Sequence, residues 1–451
     1  MSNHKTTLLL YIKNFIKCFI VLLSVIALEL GLLLISAIIP TSSIQKQMEE
    51  SSVYLNQKSV FFDINENDAA SRIDRYADSI LLNITYCYDE NSPLKSVLSS
   101  SYYHSDSANE NINLSTVVNA KGNGNTSYMR YWHGSTGLLR PLFTIFNIQQ
   151  IYILNGIILT ILAVILLYIL WTDYGKGTAI SFFISIMMCG MWYIPYSSEY
   201  TSTFMLMLIA CILLSKFSKL QTTGIITFFL TIGSLTSYFD FLTTETVTLL
   251  VPLALMLIIK HRNNPNITRS SEIVLCFKCC VAWFAGYALT WISKWGIACL
   301  VLGPDNYISP LEQVAYRMQG DLGTINGIKL ITTALLRNIN CLFPFSLLGK
   351  YGFVWVLIFM LTLAMIYFLI KQHPQTSNII PFLLIISIIP YIRYIALANH
   401  SYLHYFFTYR AQFATIFCIC LIFLYGTDRH LLQKEWKKLW KKIPKKQTKK
   451  K

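Results

Sequence analysis

Two aspartates four residues apart, in Ser71-Arg-Ile-Asp-Arg-Tyr-Ala-Asp-Ser79, are the first groups in this chain whose types and spacing suggest chemistry. If residues 67–88 form a helix, Asp74 and Asp78 share one face, where like charges repel and push one pKa upward. A carboxylate tuned in that way can act as a general base. The alternative is a solvated face whose charge is balanced by Arg72 and Arg75. A second set, Arg130, His133 and Arg140, precedes the apolar run at 149–171. The arginine fork matches phosphate oxygens, so this set could hold a phosphate, or it could be part of an interfacial belt of Trp and Tyr. A third set, Asn399-His-Ser-Tyr-Leu-His-Tyr-Phe-Phe-Thr-Tyr-Arg410, joins two apolar runs. His400 and His404 sit at a metal-ligand spacing without the Glu of a zincin, so binding of a phosphorylated or sugar ligand with Arg410 is preferred over a metal site, with interfacial packing as the alternative. Asp240 lies between two apolar runs, where an acid is costly and therefore a candidate ligand group.

The elements that must position these groups are membrane spans. Only 13% of the 451 residues are charged and 54% are hydrophobic, whereas soluble chains carry about 25% charge. A span takes about 20 apolar residues. Ten runs are candidates, at 18–40, 149–171, 178–196, 203–215, 224–239, 247–259, 273–291, 352–370, 379–398 and 411–425, those at 203–215 and 247–259 being short. The expected fold is an all-α integral membrane protein of about ten transmembrane helices, with a large first extracytoplasmic loop that contains short helices. Its parts are a cytoplasmic N-terminus (1–17), a polytopic domain (18–425) with outer loops 41–147 and 303–341, and a basic cytoplasmic tail (426–451). Within the loops, residues 105–127 read as exposed loop and 310–318 as a helix.

Charge sets the expected orientation. The chain carries a net +15, but the last 24 residues alone hold +9, and residues 41–147 hold −3. Lys5, Lys13, Lys17, Lys176, Lys216, Lys260 and Lys371 fall on the side of the tail, so both termini read as cytoplasmic in a multi-pass cell-membrane protein. Leu432, Trp436, Leu439 and Ile443 in the tail are spaced as an amphipathic helix for the anionic inner leaflet. A basic tail directly after an apolar run favours the membrane over nucleic acid as its partner. GxGxxG, GxxxxGK[ST] and GxSxG motifs are missing, which excludes the usual nucleotide and hydrolase signatures. A donor delivered by the bilayer fits better.

This arrangement resembles the GT-C class of polytopic membrane glycosyltransferases: about ten spans, a large first outer loop with an acidic helix, and a later, smaller basic loop. The resemblance implies that an aspartate of the first outer loop deprotonates the acceptor. It also implies that basic residues of other loops bind the phosphate of a polyprenyl-phosphate sugar. Carried over, Asp74 or Asp78 is the base, and Arg130, Arg140, His400, His404 and Arg410 are phosphate or sugar contacts. Asp63, Glu66 and Asp68 lie nearer the first span and compete for the base role. The implied reaction moves a sugar from a lipid-linked donor to an envelope glycan or lipid acceptor on the outer face. No cofactor is required, and a divalent metal is compatible with the scheme. Two other functions remain open: a transporter or flippase of a lipid-linked saccharide, and a non-catalytic envelope-assembly protein.

Overall fold

The computed structural model describes residues 2–66, 68–264, 268–304, 327–369 and 379–427. The expected helix at 310–318, Lys371 and the basic tail from Asp428 onward lie outside these residues. Of the described residues 79% are helical, and among them is one two-stranded antiparallel sheet, β1 (Phe61–Asp63) paired to β2 (Arg72–Asp74). Among the described residues seven helices are long and apolar enough to cross a membrane: Ile12–Ala37, Ile148–Asp173, Ser198–Lys216, Thr222–Phe239, Arg269–Leu302, Phe345–Met365 and Tyr405–Gly426. Every one of the ten apolar runs coincides with a helix, but three of those helices fall short of that standard. Lys176–Met188 and Ile380–Ala396 are shorter apolar helices. The third, Val247–Asn263, is 17 residues long, contains Pro252 and ends in Lys260, His261 and Arg262.

The order begins with α1 (Ser2–Ala37), the first candidate span, and continues through four short helices, α2 (Thr41–Asn56), α3 (Arg75–Tyr86), α4 (Pro93–Ser99) and α5 (Glu110–Ala120). After α6 (Thr136–Leu142) come α7 (Ile148–Asp173), α8 (Lys176–Met188), α9 (Ser198–Lys216), α10 (Thr222–Phe239), α11 (Val247–Asn263) and α12 (Arg269–Leu302). The start of α7 follows from its sequence. Asn147 accepts from Gln150 N and the Gln150 side chain bonds back to Asn147 N, so two orphan helix donors are satisfied before the apolar run begins. Helices α10 and α12 touch closely because both contact points are glycine. A Cβ on Gly233 would collide with the Trp283 carbonyl, and one on Gly286 with the Leu230 carbonyl.

Residues 41–147 form a lobe with its own core, in which Met48, Leu82, Leu114, Val118, Leu139 and Phe143 are buried together. Two sequence expectations change here. The stretch 105–127 is not all exposed loop, since Asn109 caps α5 by accepting from Ile112 N, and Leu114, Val117 and Val118 are buried. Nor is 67–88 one helix. A 3-10 turn at Ala69–Ser71 and strand β2 precede α3, because Asp68 and then Asp74 each turn back to accept a backbone N–H. The lobe is pinned to the long helices by polar contacts: Trp132 Nε1 donates to Thr290 O at 2.7 Å, Lys294 Nζ to Val97 O at 2.6 Å, and Ser36 Oγ to Thr136 O at 2.9 Å.

Candidate functional site

The start of α9 is the hub that joins the polar sets. Residues Ser197–Ser202 read Ser-Ser-Glu-Tyr-Thr-Ser, and four of them reach different parts of the chain. Ser197 and Ser198 meet Asp78, Tyr200 meets Arg410 and Phe407, and Ser202 meets Ser135. Thr203, one residue on, donates to Asp240 at 2.7 Å.

Asp78 is fully buried and saturated. It accepts from Tyr152 Oη at 2.5 Å and from Ser198 N at 2.9 and 3.1 Å, with Ser197 Oγ at 3.4 Å. Ser198 N opens a 19-residue helix, where an anion is favoured by the unpaired N–H groups and the helix dipole. Burial raises its pKa to about 7, opposed by the Tyr152 hydrogen bond and reinforced by the Asp74 charge. Asp74 is also buried, but its arrangement is different. One oxygen caps α3 by accepting from Ala77 N at 2.9 Å. Burial lifts it to about 7 as well, against the pull of the Ala77 and Tyr76 N–H groups. Burial, more than mutual repulsion, is therefore what tunes this pair.

The run 399–410 comes to the same place. Tyr200 stacks on Phe407 at 5.9 Å, and the Arg410 guanidinium lies 5.2 Å from the Tyr200 ring. His404 stacks on Phe407 at 5.1 Å, and the His400 and His404 rings are 4.8 Å apart. Arg410 is fully buried. Its Nη1 donates to Phe406 O at 3.2 Å, while Nε and Nη2, like the Tyr200 hydroxyl, have no hydrogen-bond partner among the described residues. The lobe also grips this run directly, through Arg72 Nη1 donating to Tyr405 Oη at 3.1 Å and Phe61 against Phe406 at 5.6 Å.

The remaining expected site residues lie elsewhere or are already occupied. Arg140 spends its guanidinium on the carbonyls of Ile39, Thr85, Tyr86 and Tyr88 and on Thr41 Oγ1. Burial draws it down to about 10, so it stays charged at neutral pH. His133 is buried with φ of +53° and Nε2 at 2.9 Å from Tyr128 O. Burial and then the charge of Lys294 push it down to about 3, so it is a neutral ring and not a cation for phosphate. Arg130 lies over Tyr128 at 4.6 Å. Asp240 is wrapped by Thr203, Thr243 and Thr244 as the cap of a turn. Beside it Glu245 and Arg393 form a buried bidentate pair at 2.5 and 2.9 Å. Of the competing acids, Asp63 pairs with Arg72, Asp68 caps the 3-10 turn, and Glu66 is exposed. Among the described residues no group of three His, Cys, Asp or Glu side chains is placed to hold a metal ion.

The chain matches no family model, no curated protein and no solved structure.

Next to Asp78 a groove of about 970 Å³ runs along α7, lined mostly by apolar side chains such as Ile157, Val164, Leu167 and Met191. Tyr54, Gln149, Tyr152 and Tyr196 also line it, and the Tyr152 hydroxyl is the one that donates to Asp78. Tyr152, Tyr200 and Ser198 were not among the residues singled out from sequence. The polar hexapeptide 197–202 before an apolar run is an N-terminal helix signature, and it is the one signal that points to them.

Proposed function

We propose that this chain is a membrane glycosyltransferase that moves a sugar from a polyprenyl-phosphate carrier to a cell-envelope acceptor on the outer face. The observation that carries the reading is the start of α9, where Ser198 N binds Asp78 in the first turn of α3, the helix that Asp74 caps, and Tyr200 meets Arg410 and Phe407. Asp74 is the base and Asp78 the positioning residue, because Asp78 has both oxygens committed to Tyr152 and α9. The acceptor hydroxyl gives its proton to Asp74 and its oxygen attacks the anomeric carbon. The bond from that carbon to the phosphate oxygen breaks, and the electron pair leaves with the lipid phosphate. Arg410 meets the charge that develops, with two donors in reserve and little solvent to screen it. The isoprenoid chain lies in the α7 groove, whose apolar lining suits it and whose Tyr152 adjoins the site. The reading takes both termini as cytoplasmic, from the distribution of lysines, and so sets the lobe and this cluster on the outer face.

The test uses purified protein in liposomes with radiolabelled polyprenyl-phosphate sugars. Release of polyprenyl phosphate together with sugar transfer supports the reading, and failure of every donor tried sinks it. A second reading, a transporter of a lipid-linked saccharide, draws on Glu29. This acid is buried within α1 and bonded to Ser234 Oγ at 3.1 Å, which in turn meets Thr290 Oγ1 at 2.7 Å. Movement of labelled lipid-linked sugar across the bilayer without turnover would decide for it.

A further inference from the structure

The lobe carries aromatic rings outside its fully buried core, of which Tyr102 and Tyr128 are half-buried against that core and Phe61 and Tyr76 are exposed. Tyr86 and Tyr88 are almost entirely buried at 2% and 1% exposure, but Tyr76 is 41% and Phe61 38% exposed. Phe61 and Tyr76 stack at 5.8 Å with ring planes 16° apart. Tyr102 lies 6.0 Å from both Tyr128 and His104, and the first turn of α3, which carries Tyr76, is tied to the same place by Ser79 Oγ donating to Asn111 Oδ1 at 2.7 Å, next to Glu110. Polar groups are interleaved with the rings. The Arg130 guanidinium sits over Tyr128 at 4.6 Å. His104, its side chain about one-third exposed, is held at 2.8 Å by the buried Glu110.

Ring faces alternating with fixed hydrogen-bonding groups match one ligand chemistry well. A pyranose has apolar C–H faces that pack on aromatic rings and a rim of hydroxyls that need donors and acceptors. A lipid chain would leave Arg130 and His104 without use, and a polyanion would meet a lobe of net charge −3. We propose that Tyr102, Tyr128, Tyr76 and Phe61, with His104 and Arg130, form a saccharide-binding track that brings the acceptor to Asp74. Only the role of Asp74 at the end of the track rests on the transferase reading. The track gives the acceptor its class, an oligosaccharide that presents ring faces.

The experiment takes the full chain in lipid nanodiscs onto an array of defined oligosaccharides, with the strongest binder then titrated calorimetrically. Wild type binds at least one saccharide. Tyr76→Ala and Tyr102→Ala each weaken binding about tenfold or more, and Tyr76→Phe, which keeps the ring, stays within about threefold. Thermal unfolding of each variant reports whether it has kept its fold. The proposal is overturned if no saccharide binds wild type above the Tyr76→Ala/Tyr102→Ala double variant, or if the array ligand proves to be a peptide or lipid headgroup control. Cleavage of a labelled polyprenyl-phosphate sugar by water, with no acceptor present, is read in parallel. Cleavage without saccharide binding removes the track and leaves the transferase. Saccharide binding without cleavage of any donor does the reverse.

Discussion

Arg140 and Arg410 are both fully buried arginines, and they use their donors in opposite ways. Arg140 gathers the end of α1, the start of α2 and the end of α3 by donating to four carbonyls and one hydroxyl. Arg410 has one carbonyl, two tyrosine faces and two nitrogens without hydrogen bonds among the described residues. The same contrast holds for the carboxylates. Asp78 is filled by Tyr152 and α9, while Asp74 spends one oxygen on a cap and lies beside the exposed ring of Tyr76. Unsatisfied buried polar groups cost free energy, and the proposed function takes the two unpaired nitrogens of Arg410 as donors for the ligand.

The largest expected effect separates the two carboxylates. Asp74→Asn should lower sugar transfer by roughly 100- to 10,000-fold, the usual worth of a general base, with little change in unfolding temperature. Asp78→Asn should instead lose stability, because the new amide NH2 faces donors that the carboxylate accepted. Transfer and thermal unfolding measured side by side on both variants would break the comparison if the two losses came out alike.

Arg410→Met comes next. Removing one donor from a developing anion costs roughly 100- to 1,000-fold in rate, and replacing a buried charge by an apolar side chain is often neutral for stability. Arg140→Met should do the reverse. Several carbonyls are left unpaired at about 1–3 kcal/mol each, which a drop in unfolding temperature would register even where some activity survives.

The pH dependence sharpens the pair further. Asp74 must be ionised to take a proton, so kcat/KM should rise through about pH 7 and level off above it. Stability runs the other way. Both carboxylates have folded pKa values near 7, above their unfolded values, so the folded state holds more protons between about pH 4 and 7 and stability falls across that window. Denaturant midpoints at several pH values should flatten in Asp74→Asn. The smallest effect concerns His133, whose neutral ring packs on Phe241 at 4.9 Å. His133→Asn suits its positive φ and should change transfer by less than about threefold, in keeping with an effect well under 1 kcal/mol; a larger loss in transfer would give this ring a part in the chemistry.

Much of this was legible in the residues. Apolar runs near 20 residues announce helices, and acids or arginines among them stand out because they are costly there. Asp74 and Asp78 stand out by their four-residue spacing, and Arg410 by its place in a polar and aromatic run that joins two apolar ones. The division between fastener and site was not legible, because it depends on partners far along the chain. The carbonyls that fill Arg140 come from residues 39 and 85–88, and the group that fills Asp78 starts a helix 120 residues later. Arg140 and Arg410 look equally suited to phosphate until those partners are known. The cap at Asp74 follows a local rule, but the helical spacing of Ile73, Ala77, Ile80 and Leu81 masked the strand before it.

The central claim, that Asp74 acts on an acceptor while Asp78 holds the fold, is tested most directly by a single-turnover measurement. Wild type, Asp74→Asn and Asp78→Asn in liposomes would be given one equivalent of labelled polyprenyl-phosphate sugar with acceptor in excess. The expected result is loss of transfer in Asp74→Asn with its unfolding temperature retained, and transfer within about tenfold of wild type in the folded fraction of Asp78→Asn. Transfer at the wild-type rate in Asp74→Asn would contradict the account.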